Sequence, residues 1–203
     1  MGFVGTAGPE RYRTDTGDIR MKFKFWGVRG SIPSPGPRTV RYGGNTTCIE
    51  VRSDDGTLIV LDGGTGLFCL AQSLVAAPRR PIEANIFITH SHWDHIHGLP
   101  FFTPLFIKGS RVRLHGVTDP DTGRGIEHVM NVQLQNSYFP VSEAQMGALI
   151  EYRTLAVGEP FAIGDAVVRN AWRQAMMAGL KPTLACVRAF SETDFRGDLA
   201  AFT

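Results

Sequence analysis

Cysteine is scarce in this chain, with three among 203 residues: Cys48, Cys69 and Cys186. An odd count without any C-x-x-C spacing argues against a disulfide framework and against a cysteine zinc knuckle. Cys48 and Cys69 read instead as small buried hydrophobes in a reducing compartment. Long apolar runs are missing as well. No stretch reaches the ~18 residues that a membrane-spanning helix needs. Met1 to Arg20 is rich in Gly, Thr, Asp and Arg and holds no signal-peptide core. Charge of one sign is also in short supply, since 21 Lys and Arg against 19 Asp and Glu leave a net +2. That balance, with no basic block anywhere, does not point to nucleic acid or a membrane surface. No P-loop or dinucleotide fingerprint occurs, and no histidine follows His128.

What remains is ordinary globular composition, 43% hydrophobic and 20% charged, enough for one domain with a sizeable core. Met1-Gly2-Phe3-Val4-Gly5-Thr6 fits the loose myristoylation pattern, but no polybasic patch follows to make it an anchor. Residues 1–20 are expected to be a flexible leader, with order beginning at Met21 and the cytoplasm as the location.

From there strands and helices alternate. Lys22 to Trp26 alternates polar and apolar residues, as a half-buried strand does. Gly27 to Gly44 holds five glycines and three prolines, a loop long enough to suggest function. Thr46 to Arg52 and Thr57 to Leu61 are strand-like runs joined by Asp54-Asp55-Gly56, a good hairpin turn. Leu58 to Leu61 is continuous in apolar residues, which predicts burial on both faces. After Asp62-Gly63-Gly64-Thr65-Gly66, the spacing of Leu67, Leu70, Ala71, Leu74 and Val75 predicts a helix that Pro78 closes. Asn85 to Thr89 and Arg111 to His115 read as further strands, and Gly125 to Gln135 as helical. Ser142-Glu143-Ala144-Gln145 reads as a capping box. Ile150 to Leu155 and Phe161 to Asn170 read as strands. The alternation implies an α/β or layered α+β domain.

Chemistry concentrates in Thr89-His90-Ser91-His92-Trp93-Asp94-His95-Ile96-His97-Gly98. Four of the six histidines fall within these residues, at the end of a buried strand. Packing does not account for such a cluster. His90 and His92, two apart in extended chain, project to one side and can grip one ion. Asp94 and His95 follow where a helix should begin and can reach a second ion. Imidazole and carboxylate suit Zn²⁺, with Mn²⁺ or Fe²⁺ as alternatives. His97 reads as a supporting or packing residue, and the isolated His115 and His128 as structural.

His-Ser-His-Trp-Asp-His resembles the H-x-H-x-D-H signature of the metallo-β-lactamase superfamily. Phe25 to Pro33, Tyr42 to Cys48, Leu61 to Gly66 and His95 to Phe102 resemble one branch of it. That branch is the bacterial phosphodiesterase-like group related to ribonuclease Z and the cyclic-phosphate phosphodiesterases. The resemblance spans about residues 22 to 172 and implies an αββα sandwich of two sheets flanked by helices. It implies His90 and His92 on a first metal, and Asp94 and His95 on a second. Asp94 would also orient the attacking hydroxide as the catalytic residue, while Asp62 and Asn45 support the site loops. The implied activity is hydrolysis of a small-molecule or nucleotide-type phosphodiester, with Arg29 or Arg41 as candidates for its phosphate. A thioester or lactam hydrolase is the alternative chemistry on this fold.

The branch also supplies a third histidine from an Asn-His-Pro-Gly-like turn, a bridging aspartate and a final histidine. Here Trp172 is followed by Arg173-Gln174-Ala175-Met176-Met177, and residues 173–203 resemble nothing in the family. The expectation is a domain over residues 21–172 that is incomplete in its second half, with a frameshifted or truncated tail. A non-catalytic, metal-binding remnant is the competing expectation for the chain as it stands.

Overall fold

The computed structural model describes residues 11–14, 17–20, 22–53, 55–78, 80–119, 121–155 and 163. The chain divides into two compact units, Met1–Glu159 and Pro160–Thr203, and all described residues but Ile163 belong to the first. The expected strand over Phe161 to Asn170, the change of character at Trp172 and the tail all lie outside the described residues.

Within the stretch expected to be a leader, β1 (Arg11–Thr14) pairs antiparallel with β2 (Gly17–Arg20). The other strands form one six-stranded sheet, ordered β3 (Lys22–Gly27), β4 (Cys48–Arg52), β5 (Leu58–Leu61), β6 (Glu83–Ile88), β7 (Arg111–Val117) and β8 (Leu149–Leu155). β3, β4 and β5 run antiparallel, and the β4–β5 turn carries Gly56 at φ +85°. From β5 onward the strands are parallel, so each step needs a crossover. The crossovers contain α1 (Gly66–Ala76), α2 (Trp93–Ile96) and α3 (Ile126–Gln133). The described residues thus form a mixed α/β arrangement, as the alternation of strands and helices in the sequence implies.

Period-two alternation sorts the sheet into two faces. Val60, Ile86, Val112 and Leu114 lie on the face that meets Leu67, Leu70 and Leu74 of α1 and Met130 of α3 in one continuous core. Ile59 and Phe87 are buried on the opposite face, so β5 and β6 are covered on both sides. Their unbroken apolar runs follow from this. The capping box forms, with the Gln145 side chain accepting from the Ser142 N–H at 2.9 Å, but the helix it opens is only the 3-10 turn Glu143–Gln145.

Cys48 is fully buried as expected, whereas Cys69 is half-buried and its sulfur accepts a hydrogen bond from Asn45 Nδ2 at 3.3 Å. His115 takes the structural role expected of it, stacked on Phe87 with ring centroids 4.2 Å apart. Burial, then the nearby Arg153 and Arg113 charges, push its pKa down from 6.5 to about 4. In the unfolded chain the same imidazole binds a proton first as pH falls. Stability tied to neutral His115 is therefore complete above pH 6.5 and lost as pH drops toward 4. The loss should reach roughly 3 kcal/mol. Urea unfolding at pH 7 and pH 4, compared with a His115→Leu chain, isolates this part, because the variant should lack it.

Candidate metal centre

Open α/β sheets place their sites at the carboxyl ends of parallel strands, and here the ends of β5 and β6 are stitched together. The Asp62 N–H donates to Phe87 O at 2.8 Å, and the Thr89 N–H donates back to Asp62 Oδ1 at 2.9 Å. Asp62 leaves β5 in the left-handed region at φ +62°, a conformation that a short polar side chain tolerates best among residues with a Cβ. This bend turns its buried carboxylate toward the histidine loop. Oδ1 also accepts the Thr89 hydroxyl at 2.8 Å, and Oδ2 lies 2.8 Å from His95 Nδ1.

The histidine loop itself is pressed onto the Asp62–Gly66 turn. The Gly63 N–H donates to His95 O at 2.7 Å, and the Gly98 N–H donates to Gly63 O at 2.7 Å. A Cβ on Gly98 would stand 2.2 Å from Gly64 O, and one on Gly64 would stand 2.3 Å from Asp94 O. Backbone oxygens cannot swing aside. Gly98→Ala is therefore expected to destabilise the fold by roughly 3 kcal/mol, read as a lower urea midpoint with an unchanged m-value.

On this base four side chains converge. His90 Nε2 lies 3.1 Å from His92 Nδ1, with ring centroids 4.5 Å apart. The His90 and His95 rings stand 4.0 Å apart, and His95 Nε2 lies 3.4 Å from Asp94 Oδ2. The expected ligands thus form two pairs, one of nitrogens and one of nitrogen with oxygen. Burial, followed by repulsion from His95 and His92, holds the His90 pKa below its ordinary value. For His95, burial works downward, but the Asp62 hydrogen bond and the Asp62 and Asp94 charges outweigh it and raise the pKa.

Do these residues suit metal ions? Two ligand nitrogens on one tetrahedral Zn²⁺ at ~2.0–2.1 Å stand roughly 3.3 Å apart. The separations of 3.1 and 3.4 Å bracket that value. The donor types suit borderline divalent ions. Asp62, by holding His95 Nδ1, leaves Nε2 as the nitrogen on offer, the arrangement of an oriented metal ligand. Among the described residues, however, no three His, Cys, Asp or Glu side chains make up a ready coordination group. The fit holds pair by pair.

The remaining histidines stand apart. His97 is exposed, its ring 5.5 Å from that of Trp93, and His128 faces Arg124 at 2.9 Å. Asn45 supports the neighbouring loop, its carbonyl accepting the Val28 and Arg29 N–H groups at 3.1 and 3.0 Å. The sequence reading missed Ser31, at φ +65°, whose N–H donates to Asp94 Oδ2 at 2.7 Å. It also missed Thr89, which bonds Asp62. The glycine-rich composition of the 27–44 loop was the available signal for the first, and adjacency to His90 for the second.

The Metallo-beta-lactamase superfamily model matches residues 41–169, more than half of the chain. This chain belongs to the metallo-β-lactamase superfamily. The matched region includes the Asp62 turn, the histidine loop and every parallel strand. No curated protein and no solved structure matches the chain. Members of the superfamily are in general metal-dependent hydrolases, usually with zinc, and the residues at the ends of β5 and β6 have the chemistry for that work. No helix among the described residues is long and apolar enough to cross a membrane.

Proposed function

We propose that the chain is a metal-dependent hydrolase of phosphodiesters with a dinuclear zinc site. His90 and His92 would hold one ion, and Asp94 and His95 the other. The observation that carries this is the convergence of two ligand pairs at 3.1 and 3.4 Å around a carboxylate-oriented histidine. Divalent ions at such a site polarise the scissile ester and lower the pKa of bound water toward ~7. The protein's own part is positional. Asp62 fixes the tautomer of His95, Ser31 N–H fixes the rotamer of Asp94, and Asp94 is left to orient the attacking water. Arg29 or Arg41 of the 27–44 loop would supply the phosphate with a cationic partner. A small-molecule or nucleotide-type phosphodiester would suit such a site, because cations held by His90, His92, Asp94 and His95 would offset the charge that develops on its non-bridging oxygens.

One observation favours a second reading, a metal-binding remnant without turnover: no ready three-ligand group exists among the described residues. Turnover of bis(p-nitrophenyl) phosphate by the full chain, with added Zn²⁺ or Mn²⁺, separates the two. Metal-dependent release of nitrophenolate is the expected result. Metal binding with no hydrolysis of phosphodiester, thioester or lactam would establish the remnant.

A further inference from the structure

Thr89 joins the end of β6 to the histidine loop, and its hydroxyl is within reach of three polar groups. Oγ1 lies 2.8 Å from Asp62 Oδ1, 3.1 Å from His90 Nδ1 and 3.4 Å from His95 Nδ1. A hydroxyl has one proton to give and lone pairs with which to accept. An ionised carboxylate can only accept, and a bond to a charged acceptor is the stronger one, so the proton points at Asp62. What Oγ1 then turns toward His90 is a lone pair, which calls for a proton on Nδ1. His95 Nδ1 does not compete for it, because Asp62 Oδ2 lies closer to that nitrogen, at 2.8 Å. With its proton on Nδ1, a neutral His90 has a bare Nε2, and Nε2 is the atom that faces His92 Nδ1 at 3.1 Å. The Thr89 N–H donates to the same Asp62 Oδ1 at 2.9 Å, so the side chain leaves from a fixed point. One buried carboxylate thus orients a histidine of each pair. Asp62 holds His95 directly and His90 through Thr89.

We propose that Thr89 is a positioning residue whose hydroxyl holds His90 as the Nδ1–H tautomer and so presents Nε2 to the first ion. The ion rests on the dinuclear reading of the site, whereas the tautomer does not. Free neutral histidine in water prefers its proton on Nε2, so without the hydroxyl the ring offers the wrong nitrogen. A plain turn role would need only the backbone N–H, which any residue but proline supplies.

The test is nitrogen-15 NMR of the histidine rings in the metal-free full chain at pH 8, above the ordinary imidazole pKa of ~6.5, followed by competitive zinc titration. His90 is expected to carry its proton on Nδ1. In Thr89→Val, which keeps the shape and the backbone N–H, that proton should move mostly to Nε2. Zinc affinity at one of the two sites should then fall roughly tenfold, while the other stays within about twofold. Thr89→Ser keeps the hydroxyl and should restore both readouts. Thr89 is exposed, so neither variant removes a core contact. A native His90 with its proton on Nε2 overturns the proposal, as does a tautomer unmoved by Thr89→Val, or zinc bound equally well by the native chain and the valine variant. Failure of serine to restore the readouts would overturn it too, because shape rather than the hydroxyl would then be what counts. A proton that sits on Nδ1 and moves in Thr89→Val, in a chain that binds no zinc, would sink the metal centre and leave the hydrogen-bond assignment standing.

Discussion

Replacing His92 by alanine is expected to lower kcat/KM for an activated phosphodiester by roughly a thousandfold, about 4 kcal/mol of lost transition-state stabilisation. The size follows from what the side chain does. His92 Nδ1 is one half of the pair at 3.1 Å with His90 Nε2, and removing it leaves that pair one donor. An ion held by one imidazole exchanges freely with solvent, so the loss should appear as metal affinity and as turnover together. His128→Ala is the matched control. His128 lies on α3 with Arg124 as its neighbour at 2.9 Å, and its removal should leave activity within about twofold, since isolated surface substitutions rarely matter. Steady-state kinetics at saturating Zn²⁺ makes the comparison. Equal losses in both variants would show that the histidine loop is not special.

Asp62→Asn tests the layer behind the proposed ligands. Asparagine tolerates the left-handed conformation at φ +62° about as well as aspartate, so the backbone of the turn should survive. What changes is the partner of His95. Asp62 Oδ2 accepts from Nδ1 and so leaves Nε2 bare. An amide can retain the Thr89 bonds through its oxygen only by turning its NH₂ toward His95, which favours the proton on Nε2 and blocks that nitrogen. Metal affinity should fall by about 10–100-fold. The His95 pKa in the metal-free chain should also fall, because the Asp62 hydrogen bond and charge are what raise it against burial. NMR titration of His95 and competitive zinc titration read the two effects. A metal affinity unchanged in Asp62→Asn would reduce Asp62 to a turn residue.

Much of the fold was legible because its signals are local. Leu58–Leu61 and the run ending at Ile88 announce strands buried on both faces, Asp54-Asp55-Gly56 announces the hairpin, and the spacing from Leu67 to Leu74 announces α1. The candidate ligands stood out for the same reason, since His90, His92, Asp94 and His95 sit in one short segment. Their supports were not. Ser31 reaches Asp94 across 63 positions of chain, and nothing in either segment alone names the other. Asp62 in an Asp-Gly-Gly turn reads equally as plain turn chemistry, and only the parallel pairing of β5 with β6 aims its carboxylate at Thr89 and His95. The β1–β2 pairing was missed because Gly, Thr and Asp around a short hairpin look like flexible chain. His115 was placed correctly as structural, yet its depressed pKa depends on Arg113 and Arg153 on its own and the adjacent strand, which composition does not reveal.

The most direct measurement is anomalous diffraction at the zinc edge from crystals of the full chain grown with Zn²⁺. One peak is expected within ~2.0–2.3 Å of both His90 Nε2 and His92 Nδ1, and a second beside His95 Nε2 and Asp94 Oδ2. Peaks elsewhere, or none while these four side chains turn away from one another, would contradict the metal centre and the hydrolytic function built on it.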